Sequence, residues 1–469
     1  MKVVPTTAAG SHATGPNDDG NNNGKSVQDI VLDTMSTKHI RVAVVGNVDS
    51  GKSTLIGSLV SATLDDGRGM ARSKIIKHKH ELNTGRTSSI STHLLGLVRN
   101  QEHYQAVTGT SYQDIVLNSD RLVTLMDLAG HEKYLKTTVS GLSRGMCDYA
   151  LVLVNAGQSS AVTNMTLNHL QLCMHLNIPV IVVFTKSDRS SKHVFQDTKQ
   201  EVVRKLKGKE LGEKKPFMLK NLNDVKLVHN KLGSNLVPML LTSCLNGDGL
   251  DLLRELLALL PQRRLHAKKQ RDKSFEYLVE DIYQVPGVGT VLSGFVAHGE
   301  WKRGDPLYLG PLKDDSVTRL VPKSVHVAQT LVDTVWAGHS VCFAIPKLPR
   351  GHGRHRKKSL LAEKGMVAKT EPWTLAKTFE ANIYLPLGAS VTVHCGKFDA
   401  CLHLLNNKQS AKVIAMRDVR FGTDLDVIRQ GNVARVTFEF AKKSYVRQGM
   451  RVIVRSGHVV GYGNVVAVY

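Results

Sequence analysis

The chain has 469 residues, 42% of them apolar, and a formal net charge of +22. Such a length exceeds what one hydrophobic core usually holds, so roughly two to four domains are expected. No apolar run approaches the ~20 residues of a membrane span and the amino terminus lacks an apolar leader segment, which reads as a soluble, cytoplasmic monomer with no membrane partner. Cys147, Cys173, Cys244, Cys342, Cys395 and Cys401 show no paired short spacing suited to zinc or redox chemistry, as expected in a reducing compartment.

The first thirty-odd residues are rich in Gly, Asn, Thr and Asp and bury little, so residues 1–37 are expected to be disordered, with folding from near Lys38. Ile40 to Val45 then clusters as a buried strand. It leads into Gly46-Asn47-Val48-Asp49-Ser50-Gly51-Lys52-Ser53, a complete phosphate-binding loop, with Thr54 to Val60 as the following helix. The glycines let backbone amides approach phosphate oxygens, Lys52 adds a point charge, and the Ser53 hydroxyl can ligate magnesium. A nucleoside triphosphate is therefore the expected ligand.

Strands are expected at Arg121 to Met126, Tyr149 to Val154, Pro179 to Phe184 and Val237 to Leu241, with helices at Thr163 to Leu176 and Gly249 to Leu260. The alternation predicts an α/β domain over residues 38–264, a mostly parallel sheet with helices on both faces and ligand chemistry at the strands' carboxyl ends. Asp127-Leu128-Ala129-Gly130 follows one strand. There a carboxylate can hold the magnesium shell and the Gly130 amide can sense the terminal phosphate. Thr185-Lys186-Ser187-Asp188 follows another, where Asp188 can accept the two N–H donors that guanine has and adenine lacks, and Lys186 can pack along the base. Ser243-Cys244, after a third strand, can offer a backbone amide to the guanine O6.

Beyond the charged linker Arg263 to Lys273, short β-rich runs without intervening helices indicate two small β-barrel domains, at residues 272–370 and 374–469. Basic runs at Arg72 to Lys79, Arg204 to Lys215, Arg263 to Lys273 and Arg350 to Lys358 make a polyanion the expected partner. Aromatic content of 5% argues against a stacking platform for single strands and favours backbone or shape recognition of structured RNA. His78 and His80 lie two apart, on different faces of any helix, with no cysteine nearby, and are assigned to a basic surface rather than to zinc.

With these motifs in order, nearly everything after Lys38 resembles the translational GTPases, relatives of elongation factor Tu, and more closely the family of GTP-binding proteins 1 and 2. The likeness is carried by Gly46 to Thr54, by Ala71-Arg72-Ser73-Lys74 through Gly85-Arg86-Thr87-Ser88-Ser89, by Asp127 to Thr138, and by Val285 to Val291 and His394-Cys395-Gly396 in the β domains. The resemblance implies a GTPase that cycles between GTP and GDP with magnesium. It places the second magnesium hydroxyl at Ser89, with Thr87 as the other candidate, the histidine that orients attacking water at His131, and a monovalent cation near Asp49. It implies hydrolysis by positioning and electrostatics from His131, Gly130 and Lys52, stimulated by the ribosome, with tRNA or another structured RNA as cargo. Two departures stand out: Ser88 replaces a bulky aliphatic residue opposite Val48, and Thr185 replaces the commoner asparagine, putting support of the phosphate loop in doubt. The alternative reading is a GTP-stabilised RNA-binding scaffold, partnered with RNA-decay machinery, in which hydrolysis is incidental. A nucleotide-dependent sulfate-activating enzyme of the same plan is the third.

Overall fold

The computed structural model describes residues 26–76, 90–109, 111–131, 138–139, 141–142, 147–158, 162–232, 235–263, 271–312, 314–346, 366–386, 392–456 and 458–469. The sequence readings at His78, His80, Thr87, Ser88 and Ser89, and the basic segment 350–358, fall outside these residues.

Order begins earlier than composition suggests. Ser26 Oγ accepts from the Asp29 amide at 3.2 Å while the Asp29 carboxylate accepts from the Ser26 amide at 3.3 Å, a reciprocal cap that starts helix α1 (Val27–Thr37). Its apolar stripe, Val31, Leu32 and Met35, packs with Leu94, Val116 and Leu122 and with Phe275 and Val327 from the second domain. The expectation of disorder up to residue 37 is therefore corrected for residues 27–37. A polar average over the whole leader concealed a short capped helix whose apolar side had somewhere to go.

The first domain is built on an eight-stranded sheet: β1 (His39–Gly46), β2 (Ser91–Asn100), β3 (His103–Val107), β4 (Arg121–Asp127), β5 (Tyr149–Asn155), β6 (Val180–Thr185), β7 (Lys215–Met218) and β8 (Leu236–Leu241). Their order is β3-β2-β4-β1-β5-β6-β8-β7, parallel except that β2 runs antiparallel to β3 and β4. A strand covered on both faces needs a near-continuous apolar run. Alternate β1 residues confirm this: Val42 and Val44 face α2 (Lys52–Ser61), while Ala43 and Val45 face the opposite core. A short α3 (Met70–Ser73) and α4 (Tyr112–Leu117) follow in chain order. Helices α5 (Asn164–His175) and α6 (Lys192–Lys207) cover the Ala43 side, and α7 (Leu222–Val228) and α8 (Leu250–Leu259) join α2 on the other.

Ten strands, β9 to β18, make the second domain between Glu276 and Lys369; eight of them form one antiparallel sheet, and Glu300–Lys302 pairs with Thr334–Trp336 as a separate ribbon. Gly294 sits at a bulge in this sheet, where an added Cβ would lie 2.1 Å from the Leu278 carbonyl, so only glycine permits the bend. Eight more strands, β19 to β26, lie between Ala376 and Val468, and six of these close into the barrel of the third domain. The two β domains are joined by buried polar contacts: Glu276 accepts from the Tyr445 hydroxyl at 2.9 Å and from Arg447 Nε at 3.1 Å, and Asn406 donates to the carbonyls of Val279 and Met366. No helix among the described residues is long and apolar enough to cross a membrane.

Candidate nucleotide site

β1 ends between β4 and β5, and the chain turns sharply there. Gly46 has φ 153° and an added Cβ would meet the Leu153 carbonyl at 2.6 Å, while Asp49 and Gly51 take positive φ of 59° and 84°. The turn aims the amino end of α2 into a pocket of about 120 Å³ lined by Val48, Asp49, Gly51, Lys52, Ser53, Thr54, Arg72, Gly130, His131 and Lys186. The amino end of a helix suits an anion.

Within that pocket the expected groups converge. Lys52 Nζ donates to the Gly46 and Asn47 carbonyls at 3.2 and 2.8 Å, spanning the loop it belongs to. Burial pushes the Lys52 amine down to about 8, against the opposing pull of Asp127 and Asp49. Asn47 Oδ1 accepts from the Val48 amide at 2.7 Å, which helps hold the loop open. Ser53 Oγ donates to Asp127 Oδ2 at 2.6 Å, so the hydroxyl and carboxylate predicted to serve magnesium already adjoin, from the start of α2 and the end of β4. Gly130 packs against the loop so closely that a Cβ would sit 2.4 Å from Lys52 Nζ and 2.6 Å from the Gly46 carbonyl. His131, next in the chain, lines the same pocket.

The base-side motif is tied to the loop by Thr185. Its hydroxyl donates to the Ser50 carbonyl at 2.8 Å, so the threonine that replaces asparagine does support the phosphate loop. Lys186 takes a left-handed φ of 59°, which turns the chain so that Asp188 follows in a single turn of 3₁₀ helix. Ser243 plays a different part from the one expected. Its amide is committed to the Asp248 carbonyl at 2.9 Å and is not available to a guanine O6. Its hydroxyl instead donates to Asp188 Oδ1 at 2.6 Å while accepting from the Leu245 amide at 3.1 Å, which orients the carboxylate. The Cys244 amide has no acceptor among the described residues, and the Cys244 carbonyl accepts from Asp65 at 2.8 Å, linking the base side to the segment after α2. Sequence reasoning missed the Ser243 hydroxyl and Arg72. The first carries no local signal, and the second was grouped with a basic run.

A phosphate loop, an Asp-x-x-Gly turn and a Thr-Lys-x-Asp base motif at the ends of neighbouring parallel strands, followed by two antiparallel β domains, define a P-loop GTPase of translation-factor build. Comparison with known proteins agrees. Residues 37–262 match the family model described as elongation factor Tu GTP binding domain. The chain is 34% identical over 435 residues to GTP-binding protein 1 of Xenopus laevis, covering 91% of this chain and 63% of that one, and 34% identical over 443 residues to GTP-binding protein 2 of Mus musculus, covering 93% and 70%. Among solved structures it is similar to translation elongation factor SelB from Methanococcus maripaludis in complex with the GTP analogue GPPNHP, with a TM-score of 0.61, 20% identity, and coverage of 92% of this chain and 79% of that one. It is also similar to the Saccharomyces cerevisiae Ski7 GTPase-like domain bound to GTP, with a TM-score of 0.67, 13% identity, and coverage of 92% and 97%. The chain belongs to the GTP-binding protein 1 and 2 family of translational GTPases, enzymes that bind and hydrolyse GTP.

Proposed function

We propose that this GTPase is a ribosome-stimulated, cytoplasmic, monomeric switch that carries or contacts tRNA or another structured RNA. The observation that carries the reading is the shared pocket: His131 and Gly130 line it together with Lys52, Ser53 and Asp49. In the reaction a water oxygen forms a bond to the γ-phosphorus, the bond from that phosphorus to the β–γ bridging oxygen breaks, the electron pair leaves with GDP, and the proton shed by the water ends on the released phosphate or in solvent. Lys52 and the loop amides offset charge on the phosphate oxygens, the Gly130 amide faces the terminal phosphate, and His131 orients water. Ser53 and Asp127, with Ser89, would hold magnesium, which would supply positive charge to offset that of the phosphates. The oxygen chemistry of Ser53 and Asp127 fits that hard cation. A monovalent cation belongs near Asp49. Asp188, set by Ser243, selects guanine, assisted by Lys186 and the Cys244 amide.

RNA as partner is supported by the net charge of +22 and, by analogy of fold, by similarity to an elongation factor. The test is His131→Ala. GTP affinity is expected to hold within about threefold while ribosome-stimulated turnover falls by a factor on the order of 10² or more. Unchanged turnover removes His131 from the mechanism. The second reading, bound GTP stabilising an RNA-associated scaffold, draws on the fold match to a GTPase-like domain solved with GTP. Multiple-turnover hydrolysis that ribosomes do not stimulate would select it.

A further inference from the structure

We propose that Arg72 is an arginine supplied in cis to the transferring γ-phosphate, a role that rests on the nucleotide reading of the pocket and adds to it. Arg72 lines the pocket together with Lys52, Ser53, Gly130 and His131, the groups assigned above to the terminal phosphate and its metal. Among the described residues no carboxylate lies within ion-pair distance of its guanidinium, and the side chain is half-buried. A cation with no partner among the described residues, on the wall of an anion pocket, has the phosphates as its natural counter-charge.

The backbone that carries Arg72 is fixed rather than floating. A Cβ at Gly57, in α2, would lie 2.2 Å from the Ala71 carbonyl, so α3 is pressed directly onto the helix that starts at the phosphate loop. Ala71 itself is fully buried. Before it, Asp65 accepts from the Ala71 amide at 2.9 Å and Asp66 accepts from the Arg68 and Met70 amides at 2.8 and 3.1 Å, folding Asp65-Asp66-Gly67-Arg68-Gly69 into a defined turn. The Asp65 amide in turn donates to the Cys244 carbonyl beside the base motif. Gly69 then lets the side chain pass: an added Cβ there would meet Arg72 Nε at 2.6 Å. Two glycines and two aspartates thus hold one arginine against the pocket.

The guanidinium neither gives nor takes a proton in the step. As the water–phosphorus bond forms and the bond to the bridging oxygen breaks, negative charge grows on the oxygens around the transferring group, and a planar fork of donors can meet two of them at once. An arginine supplied in cis is one of the recurring parts of phosphoryl-transfer sites.

The experiment uses the full chain as wild type, Arg72→Ala, Arg72→Lys and Lys52→Ala. Fluorescent GDP titration, binding of GDP with aluminium fluoride as a transition-state mimic, and single-turnover hydrolysis of γ-labelled GTP are measured for each. Arg72→Ala is expected to keep GDP affinity within about threefold, to lose the extra affinity for the mimic, and to slow hydrolysis by on the order of 10²-fold or more. Arg72→Lys is expected to recover only part of that rate, because an ammonium lacks the bidentate fork. Hydrolysis and mimic binding at wild-type levels in Arg72→Ala overturn the proposal. So does a loss of GDP affinity that matches the loss of rate, since that places Arg72 on the inner phosphates or in loop support. If Lys52→Ala binds GDP as tightly as wild type, the nucleotide reading of the pocket fails first, and the proposal with it.

Discussion

Thr185→Val keeps the shape of a side chain that is 3% exposed and removes its hydroxyl, the group that donates to the Ser50 carbonyl at 2.8 Å. The magnitude follows from the acceptor left behind. Ser50 is itself 2% exposed, so water has little access to replace the lost donor, and an orphaned buried acceptor costs about 1–3 kcal/mol. The Val154 carbonyl, 3.4 Å from the same hydroxyl, is a weak second acceptor and adds little. Because this bond joins the end of β6 to the phosphate loop, the cost falls on the conformation that receives phosphate. It is expected as a loss of GDP affinity of about five- to hundredfold, read by fluorescence titration, with a melting temperature lowered by a few degrees. Thr185→Ser keeps the donor and is expected within about threefold of wild type. Thr185→Asn, which can donate through its amide, is expected to bind as well as wild type. A valine variant with unchanged affinity and unchanged melting temperature would show that the loop is held by something else.

Lys52 gives a pH dependence with a definite sign. Burial holds its amine down to about 8 without nucleotide, and polyphosphate raises that value, so binding takes up a proton; affinity is full well below pH 8 and falls as pH rises through 8. The expected weakening between pH 7 and 8.5 is about fourfold, absent in Lys52→Arg, and a flat profile for wild type contradicts the assignment. Ser243→Ala removes a charge-assisted bond of 2.6 Å to Asp188 at a fully buried position and is expected to weaken GTP about tenfold or more, measured by competition titration; equal affinity would mean that Asp188 orients itself. Leu32→Ala in α1, at a site 5% exposed, is expected to cost about 2–4 kcal/mol and to lower the melting temperature by several degrees in a thermal scan, whereas an unchanged scan would show that α1 does not stay docked.

The parts of this molecule that the sequence makes legible are those where chemistry constrains consecutive residues. The loop Gly46 to Ser53, the Asp127 to Gly130 turn and the Thr185 to Asp188 motif each need fixed residue types at fixed spacing, and they fall at strand ends as a parallel sheet requires. β2 and β3 were less visible because they form an antiparallel edge with polar residues such as His93, Arg99 and Gln105 set among the apolar ones. α1 escaped because its partners, Leu94, Val116 and Phe275, are distant in sequence, and a short helix gains its stability from such packing. Ser243 and Arg72 escaped for a related reason. Ser243 reaches Asp188 across 55 residues. Arg72 is distinguished from its basic neighbours only by what Gly57 and Gly69 allow the backbone to do.

The same contacts bear on how nucleotide state would be transmitted. The two β domains are locked together by Glu276, 3% exposed and bonded to Tyr445 and Arg447, so they are best treated as one body. Among the described residues, that body meets the first domain at two places. At one, His175 stacks on Tyr462 at 3.8 Å beside a cavity of about 330 Å³ that Arg451 and Tyr384 also line. Arg451 donates to the Leu176 carbonyl there, and Ile453 and Tyr462 are buried with residues of the first domain's core, so the joint is packed around the cavity. At the other, Arg41 reaches Glu280 at 2.9 Å and lies over Phe295, while α1 is wedged between the domains with Ser36 bonded to His339 at 2.6 Å. The second joint contains α1, so the helix that composition left out helps to hold the β domains against the first domain. Loosening it through Leu32 reports on that joint as well as on overall stability.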